Sequence, residues 1–465
     1  MKIEGRGRAI RLSRCIFVAM NTRLIRNALL INEGQEFIAD VLIENGRISR
    51  IEKGGIHNWN GDAIDATGLW LIPGAIDDQV HFREPGLTHK ADIASESRAA
   101  AAGGVTSFME MPNVKPPSVS IELLEEKYAI AARNATVNYS FYMGTTNENY
   151  DELMRVNPET VCGIKIFMGS STGNMLVDNH GVLERIFSHT PMLISTHCED
   201  EARILQRTAE WTARYGEDIP WEAHAEIRDA EACHLSSLFA VELARKHKTR
   251  LNVLHITTAI ETALFGNTLP LDQKHITSEV CVHHLWFNSA DYARHGADIK
   301  CNPAIKHRSD QEALWTALLD DRLDIIATDH APHTREEKNG KYTQAPSGLP
   351  LIQHPVLMMF EASREGRISR EKVVEKMCHN PAVSFRVRER GFIREGYWAD
   401  LVLIDPNAAT EVTRESLLYK CGWSPLEGTR FSHRIHSTFV NGVPVWQDGA
   451  ITGEKAAMRL GFEAR

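Results

Sequence analysis

No apolar run in this sequence approaches the ~18–20 residues that a membrane-spanning helix needs. No CxxC pair or regular cysteine framework occurs among its eight cysteines, which excludes a disulfide scaffold and fits free thiols in a reducing cytoplasm. There is no excess of positive charge. The net charge is −9, spread without long runs, which argues against nucleic acid as a partner. Internal repeats and low-complexity stretches are also absent. What remains is an ordinary globular composition, with 43% hydrophobic and 24% charged residues over 465 positions. That length holds two or three average domains, or one large barrel with an appendage. Histidine is plentiful, at 21.

The first nineteen residues differ from the rest. They carry Lys2, Arg6, Arg8, Arg11 and Arg14, then a brief apolar patch too short for a signal-peptide core. Residues 1–19 are expected to be a disordered leader, with Met20 as the natural start. An amphipathic targeting helix is the alternative. Residues 20–72 read as short strands, with hairpin signals at Asn45-Gly46 and Gly54-Gly55. Residues 386–465 have the same character, with Asn441-Gly442 as a tight turn. Together they predict one small β-sandwich built from both termini.

Residues 73–385 alternate apolar strands with helical stretches. The strand candidates are GAIDDQVHF, GGVTSFMEMP, VNYSFYMG, GIKIFMG, MLISTHCE, RLNVLHIT, KHITSEVCVHHL and DIIATDH. Eight strands in a repeating strand–helix order predict an α/β fold, a (β/α)8 TIM-type barrel.

One stretch organises the rest: Ile76 to Gly86, IDDQVHFREPG. Alternation along a strand puts Gln79, His81 and Arg83 on one face. In a parallel barrel this face lies at the carboxyl end, where active sites are built. Taken alone, the stretch reads equally well as a buried strand ending in a polar turn. Downstream, Lys165 lies between isoleucines, His197 and His255 end strands, and Asp329 lies in IIATDHAPH. Burying an unpaired lysine charge is costly, and desolvation favours the neutral amine. A neutral amine can add carbon dioxide and become a carbamate, a bridging ligand for two metals. The bland alternatives are a snorkelling lysine, or one paired with a buried acid. Two histidines, a lysine and an aspartate at successive strand ends nevertheless point to a metal, and imidazole with carboxylate suits Zn²⁺. Zn²⁺ lowers the pKa of a water toward ~7. Asp329 could serve both as a ligand and as a proton shuttle. The Arg83 fork matches a substrate carboxylate, with a surface ion pair to Glu84 or Asp78 as the alternative.

IDDQVHFREPG, MEMPN, GIKIFMGSSTG, THCE, LHIT, EVCVHHL, NPAIK, ATDHAPH and CGWSPLEG together resemble the dihydroorotase family of the amidohydrolase superfamily. The resemblance runs from about Leu24 to Gly449. Arg83 and the paired His283-His284 set it apart from hydantoinase and allantoinase relatives. It implies zinc-dependent, reversible conversion of L-dihydroorotate to N-carbamoyl-L-aspartate in pyrimidine biosynthesis. By position it implies His81, Lys165 as a carbamate, His197, His255 and Asp329 as the metal ligands, with Asp329 also the catalytic acid/base. It implies Arg83, Asn113, Asn302 and His333 as substrate-binding residues, and a homodimer. One departure stands out. Gln79 occupies the place of the family's first histidine, and an amide oxygen is a weaker zinc ligand, so the count is one or two Zn²⁺ per subunit. Two other readings follow. One is an impaired homologue acting as a scaffold for aspartate transcarbamoylase, with Gln79 as the first mark of decay. The other is a cyclic amidase for a ring that lacks the carboxylate Arg83 would hold. The loop from Thr334 to Pro350 reads equally as a cover for the substrate or as surface.

Overall fold

The computed structural model describes residues 22–169, 175–177 and 179–463. The predicted leader, residues 1–19, lies outside the described residues.

The eight barrel strands form where the apolar runs predicted them. They are β1 (Ala75–Val80), β2 (Val105–Glu110), β3 (Asn138–Phe141, continued by Met143–Gly144), β4 (Ile164–Phe167), β5 (Ile194–His197), β6 (Leu251–Val253), β7 (Ile276–Cys281) and β8 (Ile325–Ala327). Successive strands pair in parallel from β1 to β3 and from β3 through β8. A parallel bridge between Val80 and His330 joins the end of β8 to β1. These strands are buried almost throughout, as continuous apolar runs require when helices cover the outside. The chain is a (β/α)8 barrel with a β-rich unit drawn from both termini.

The covering helices start at side-chain caps. Asp92, Ser120, Asp200 and Asp229 each accept a backbone N–H in the first turn of Ile93–Ala102, Ile121–Asn134, Glu201–Tyr215 and Ala230–His247. Each such cap contributes about 1 kcal/mol by satisfying a donor that the helix itself leaves open. No described helix is long and apolar enough to cross a membrane.

The two β-rich ends of the chain meet in one nine-stranded sheet. Trp70–Pro73 is its seam. This strand runs parallel to Thr22–Asn32 on one side and antiparallel to Leu401–Asp405 on the other. Ile25, Leu30, Val41, Leu71, Leu401 and Phe439 share an apolar cluster distinct from the barrel core. Trp70–Pro73 leads directly into β1, so the pairing of the termini also fixes the first barrel strand.

β1 ends at Val80, earlier than strand alternation through residue 83 predicts. The chain turns out of the ladder because Arg83 adopts a left-handed conformation, φ +70°. His255 (φ +40°) and Asp329 (φ +46°) do the same just beyond β6 and β8. Such backbone costs on the order of 1–3 kcal/mol per non-glycine residue and persists only where surrounding bonds hold it. Here His81 N donates to His330 O (2.7 Å), His255 N to Glu279 Oε1 (3.2 Å) and His330 N to Thr328 Oγ1 (3.0 Å).

Candidate active site

The strand ends open on a cavity of about 210 Å³. Gln79, His81, Arg83, Asn113, Lys165, His197, His255, Asn302, Asp329 and His333 all line it. Residues more than 250 positions apart in sequence, such as Gln79 and His333, are therefore brought to one place.

Two pairs of donor atoms face each other across short gaps. His197 Nδ1 lies 3.0 Å from His255 Nε2. The other nitrogen of His197, Nε2, lies 3.0 Å from Glu199 Oε2. Burial opposes ionisation of Glu199, but the Arg228 guanidinium and His197 outweigh it and hold the carboxyl down at about 2. An ionised Glu199 accepts a hydrogen bond from Nε2–H, which leaves Nδ1 as a lone pair aimed at His255. Burial also keeps both imidazoles neutral by lowering their pKa, His255 well below the ordinary value. In the second pair, His81 Nδ1 sits 2.9 Å from Asn113 Oδ1 and donates to it. His81 Nε2 then faces Asp329 Oδ1 at 3.1 Å. Unprotonated nitrogens and a carboxylate oxygen at such distances repel unless a cation lies between them. The donor set thus fits a metal.

Lys165 completes this end of the cavity. It is 1% exposed, and burial brings its ammonium down to about 8, against the opposing pull of Asp329 and Glu279. Titration near 8 leaves roughly a tenth of the amine neutral at pH 7, and the neutral amine is the form that can become a carbamate. Gln79 is 1% exposed, and its Oε1 lies 3.8 Å from Cys281 Sγ.

The other end is cationic. Arg83 is 7% exposed, its Nε donates to Pro332 O (3.0 Å), and Nη2 lies 3.0 Å from His333 Nε2. Burial lowers the guanidinium to about 10, which still leaves it charged near neutrality. Lys90 Nζ donates to His333 Nδ1 at 3.0 Å. The ring proton is therefore on Nε2, where Ser347 O accepts it at 3.0 Å. With that proton held by Ser347 O, the buried Arg83 fork is the donor that this end of the cavity offers, and it suits an anion. Asn302 Oδ1 is buried without a hydrogen-bond partner among the described residues.

Sequence reasoning missed several contributors. Glu199 follows His197 by two positions in THCE, and its placement on the same strand face was the available signal. Lys90, Ser347 and the rest of the Pro346–Gly348 edge carried no local signal. The loop left open between cover and surface contributes Pro346, Ser347 and Gly348 to the cavity wall. His283 and His284 are buried but do not line the cavity.

A (β/α)8 barrel with imidazoles, a carboxylate and a desolvated lysine converging at its strand ends defines a metal-dependent hydrolase. Residues 70–445 match the model of the amidohydrolase family. A dihydroorotase of Halobacterium salinarum is 32% identical over 435 residues, which is 89% of this chain and 97% of that one. An allantoinase of Deinococcus radiodurans is 29% identical over 92% of this chain and 96% of its own. Among solved structures, L-hydantoinase from Arthrobacter aurescens superposes with a TM-score of 0.88 at 24% identity, covering 94% of this chain and 99% of that one. The chain belongs to the amidohydrolase family and is a metal-dependent cyclic amidohydrolase.

Proposed function

We propose that the chain is a dihydroorotase, which hydrolyses the cyclic amide of L-dihydroorotate reversibly to N-carbamoyl-L-aspartate in cytoplasmic pyrimidine synthesis. The observation that carries this reading is the buried Arg83 guanidinium at one end of the cavity, with His333 Nε2 3.0 Å from its Nη2. Dihydroorotate carries a carboxylate on its ring, whereas hydantoin and dihydrouracil carry none. Arg83 and His333 would hold that carboxylate, with the Asn302 amide oxygen as an acceptor for a ring N–H.

His81, Lys165 as its carbamate, His197, His255 and Asp329 would hold one or two zinc ions, with Gln79 the weak member of the set. When bound, zinc supplies Lewis acidity, which acidifies a water and polarises the ring carbonyl. The chain's own residues do the rest. Asn113 fixes the His81 ring through Nδ1, and Glu199 fixes His197 through Nε2. Asp329 takes a proton from the attacking water and returns it to the departing ring nitrogen. Burial of the site excludes bulk water and strengthens these charges. Within this reading residues 73–385 are the catalytic barrel, and the enzyme works as a homodimer.

The test compares hydrolysis of L-dihydroorotate, hydantoin and dihydrouracil by zinc-supplemented protein. Preference for dihydroorotate supports the reading. Equal or better turnover of the uncharged rings would move the assignment to a hydantoinase or allantoinase activity.

A further inference from the structure

Just behind the cavity wall, a thiol and two imidazoles come together. Cys281 ends β7, and His283 and His284 lie in the short helix Val282–Trp286 that follows. One ligand atom from each lies within 4.8 Å of the other two, and all three residues are buried. The two imidazole rings are 4.1 Å apart between centroids.

The polar atoms of this cluster lack ordinary partners. Neither ring nitrogen of His283 has a hydrogen bond among the described residues, its ring approaching the Thr328 backbone only outside bonding geometry. A buried polar group left in that state costs roughly 1–3 kcal/mol. His284 donates from Nε2 to Pro303 O at 3.2 Å. That bond fixes the tautomer and leaves Nδ1 as a lone pair, and Nδ1 also has no partner. Metal-binding histidines are held in this way, with the other ring nitrogen on a carbonyl. The Cys281 thiol makes long contacts, 3.6 Å to Glu279 Oε1 and 3.8 Å to Gln79 Oε1. Burial, and after it the carboxyl groups of Glu279, Asp329, Asp77 and Asp78, raise the thiol well above its ordinary pKa, so the proton stays on sulfur until a metal displaces it. Gln79 lines the cavity as well and contacts Cys281, so the cluster lies one residue behind the cavity wall.

We infer that Cys281, His283 and His284 form an additional metal-binding site, separate from the donors around His197 and Asp329. A thiolate with two imidazoles selects a borderline-soft divalent ion such as Zn²⁺. Binding replaces the Cys281 thiol proton, which leaves to solvent, because the thiolate is the ligand. The Gln79 amide oxygen stands where it can serve as a further donor. In this arrangement the glutamine is a shared wall between two metal sites rather than a mark of decay. The inference does not rest on the proposed reaction, and its test reads no turnover.

The experiment strips the full-length chain with a chelator and reloads it with Zn²⁺ or Co²⁺ in steps. X-ray absorption at the zinc edge of the unaltered chain is expected to show a sulfur ligand at about 2.3 Å. The cobalt form is expected to show a thiolate-to-metal charge-transfer band in the near ultraviolet. Cys281→Ser should remove both signals and one equivalent of bound metal, while Cys421→Ser should leave all three intact. His283→Gln keeps every thiol and should raise the Co²⁺ Kd read from that band by about tenfold or more. Absence of sulfur from the zinc shell of the unaltered chain at full loading would overturn the inference. So would a sulfur signal that survives Cys281→Ser. If that variant does not fold, an unchanged Co²⁺ Kd in His283→Gln overturns it equally.

Discussion

Replacing Arg83 with methionine removes the buried cation from one end of the cavity while keeping a side chain of similar length. Arg83 is 7% exposed and stands 3.0 Å from His333 Nε2, so a carboxylate held between them would be largely desolvated. Truncating one partner of a buried, hydrogen-bonded charge pair costs about 2–5 kcal/mol. At about 1.4 kcal/mol per factor of ten, kcat/KM for dihydroorotate should fall by roughly 30- to 4,000-fold. The loss should lie mainly in KM, because the carboxylate is held alike in substrate and transition state. Arg83 Nε also donates to Pro332 O, so part of any loss could reflect movement of the segment carrying His333. Dihydrouracil separates the two effects. It is the same ring without the carboxylate, and its weak hydrolysis should be unchanged in the variant. Arg83→Lys keeps the charge but not the fork and should fall between the two. The assay is steady-state hydrolysis of both rings at fixed pH, with folding checked by circular dichroism. An equal fall for both substrates, or an unchanged KM for dihydroorotate, would refute the assignment of Arg83 to the carboxylate.

Lys90→Met should raise KM for dihydroorotate with little change in kcat, because His333 then loses the donor that fixes its tautomer (3.0 Å to Nδ1); a kcat effect alone would contradict this. Glu199→Gln removes the anion that orients His197 and should weaken metal binding by about 10–100-fold, measured by competition with a chromogenic chelator. Activity should fall on the acid side only below the ordinary imidazole range of about 6.5, since burial lowers His81, His197 and His255 and their neutral forms are the competent ones. On the alkaline side KM should rise through about 10, as the buried Arg83 loses its proton; a pH–rate series in buffers of constant ionic strength checks both limbs. Glu110→Ala leaves Lys127 buried without its ion-pair partner (3.0 Å, both side chains 0% exposed) and frees Phe82 N, so it should destabilise the fold by about 3–5 kcal/mol in chemical denaturation.

The sequence by itself determined the eight barrel strands and set polar residues at their ends. Runs such as GIKIFMG and LISTHCE are long enough and apolar enough to be buried strands. A lysine or histidine at the end of such a run is legible as a functional residue, because burial needs a reason. It also marked Gln79 as the departure from an otherwise consistent set of donors. The spacing did not show that β1 stops at Val80, nor that Arg83, His255 and Asp329 turn into the cavity through left-handed backbone. That backbone is held by partners far away in sequence, such as Glu279 for His255, and no local pattern encodes them. The tertiary structure alone decided which residues meet. Lys90 behind His333 and the Pro346–Gly348 edge come from loops whose composition is ordinary. Cys281, His283 and His284 read in sequence as a strand end and a family marker. Only the turn from β7 into the following helix sets their ligand atoms within 4.8 Å of one another. Strand and helix periods are properties of neighbouring residues, whereas a site is a set of distances fixed by barrel closure and by packing across the whole chain.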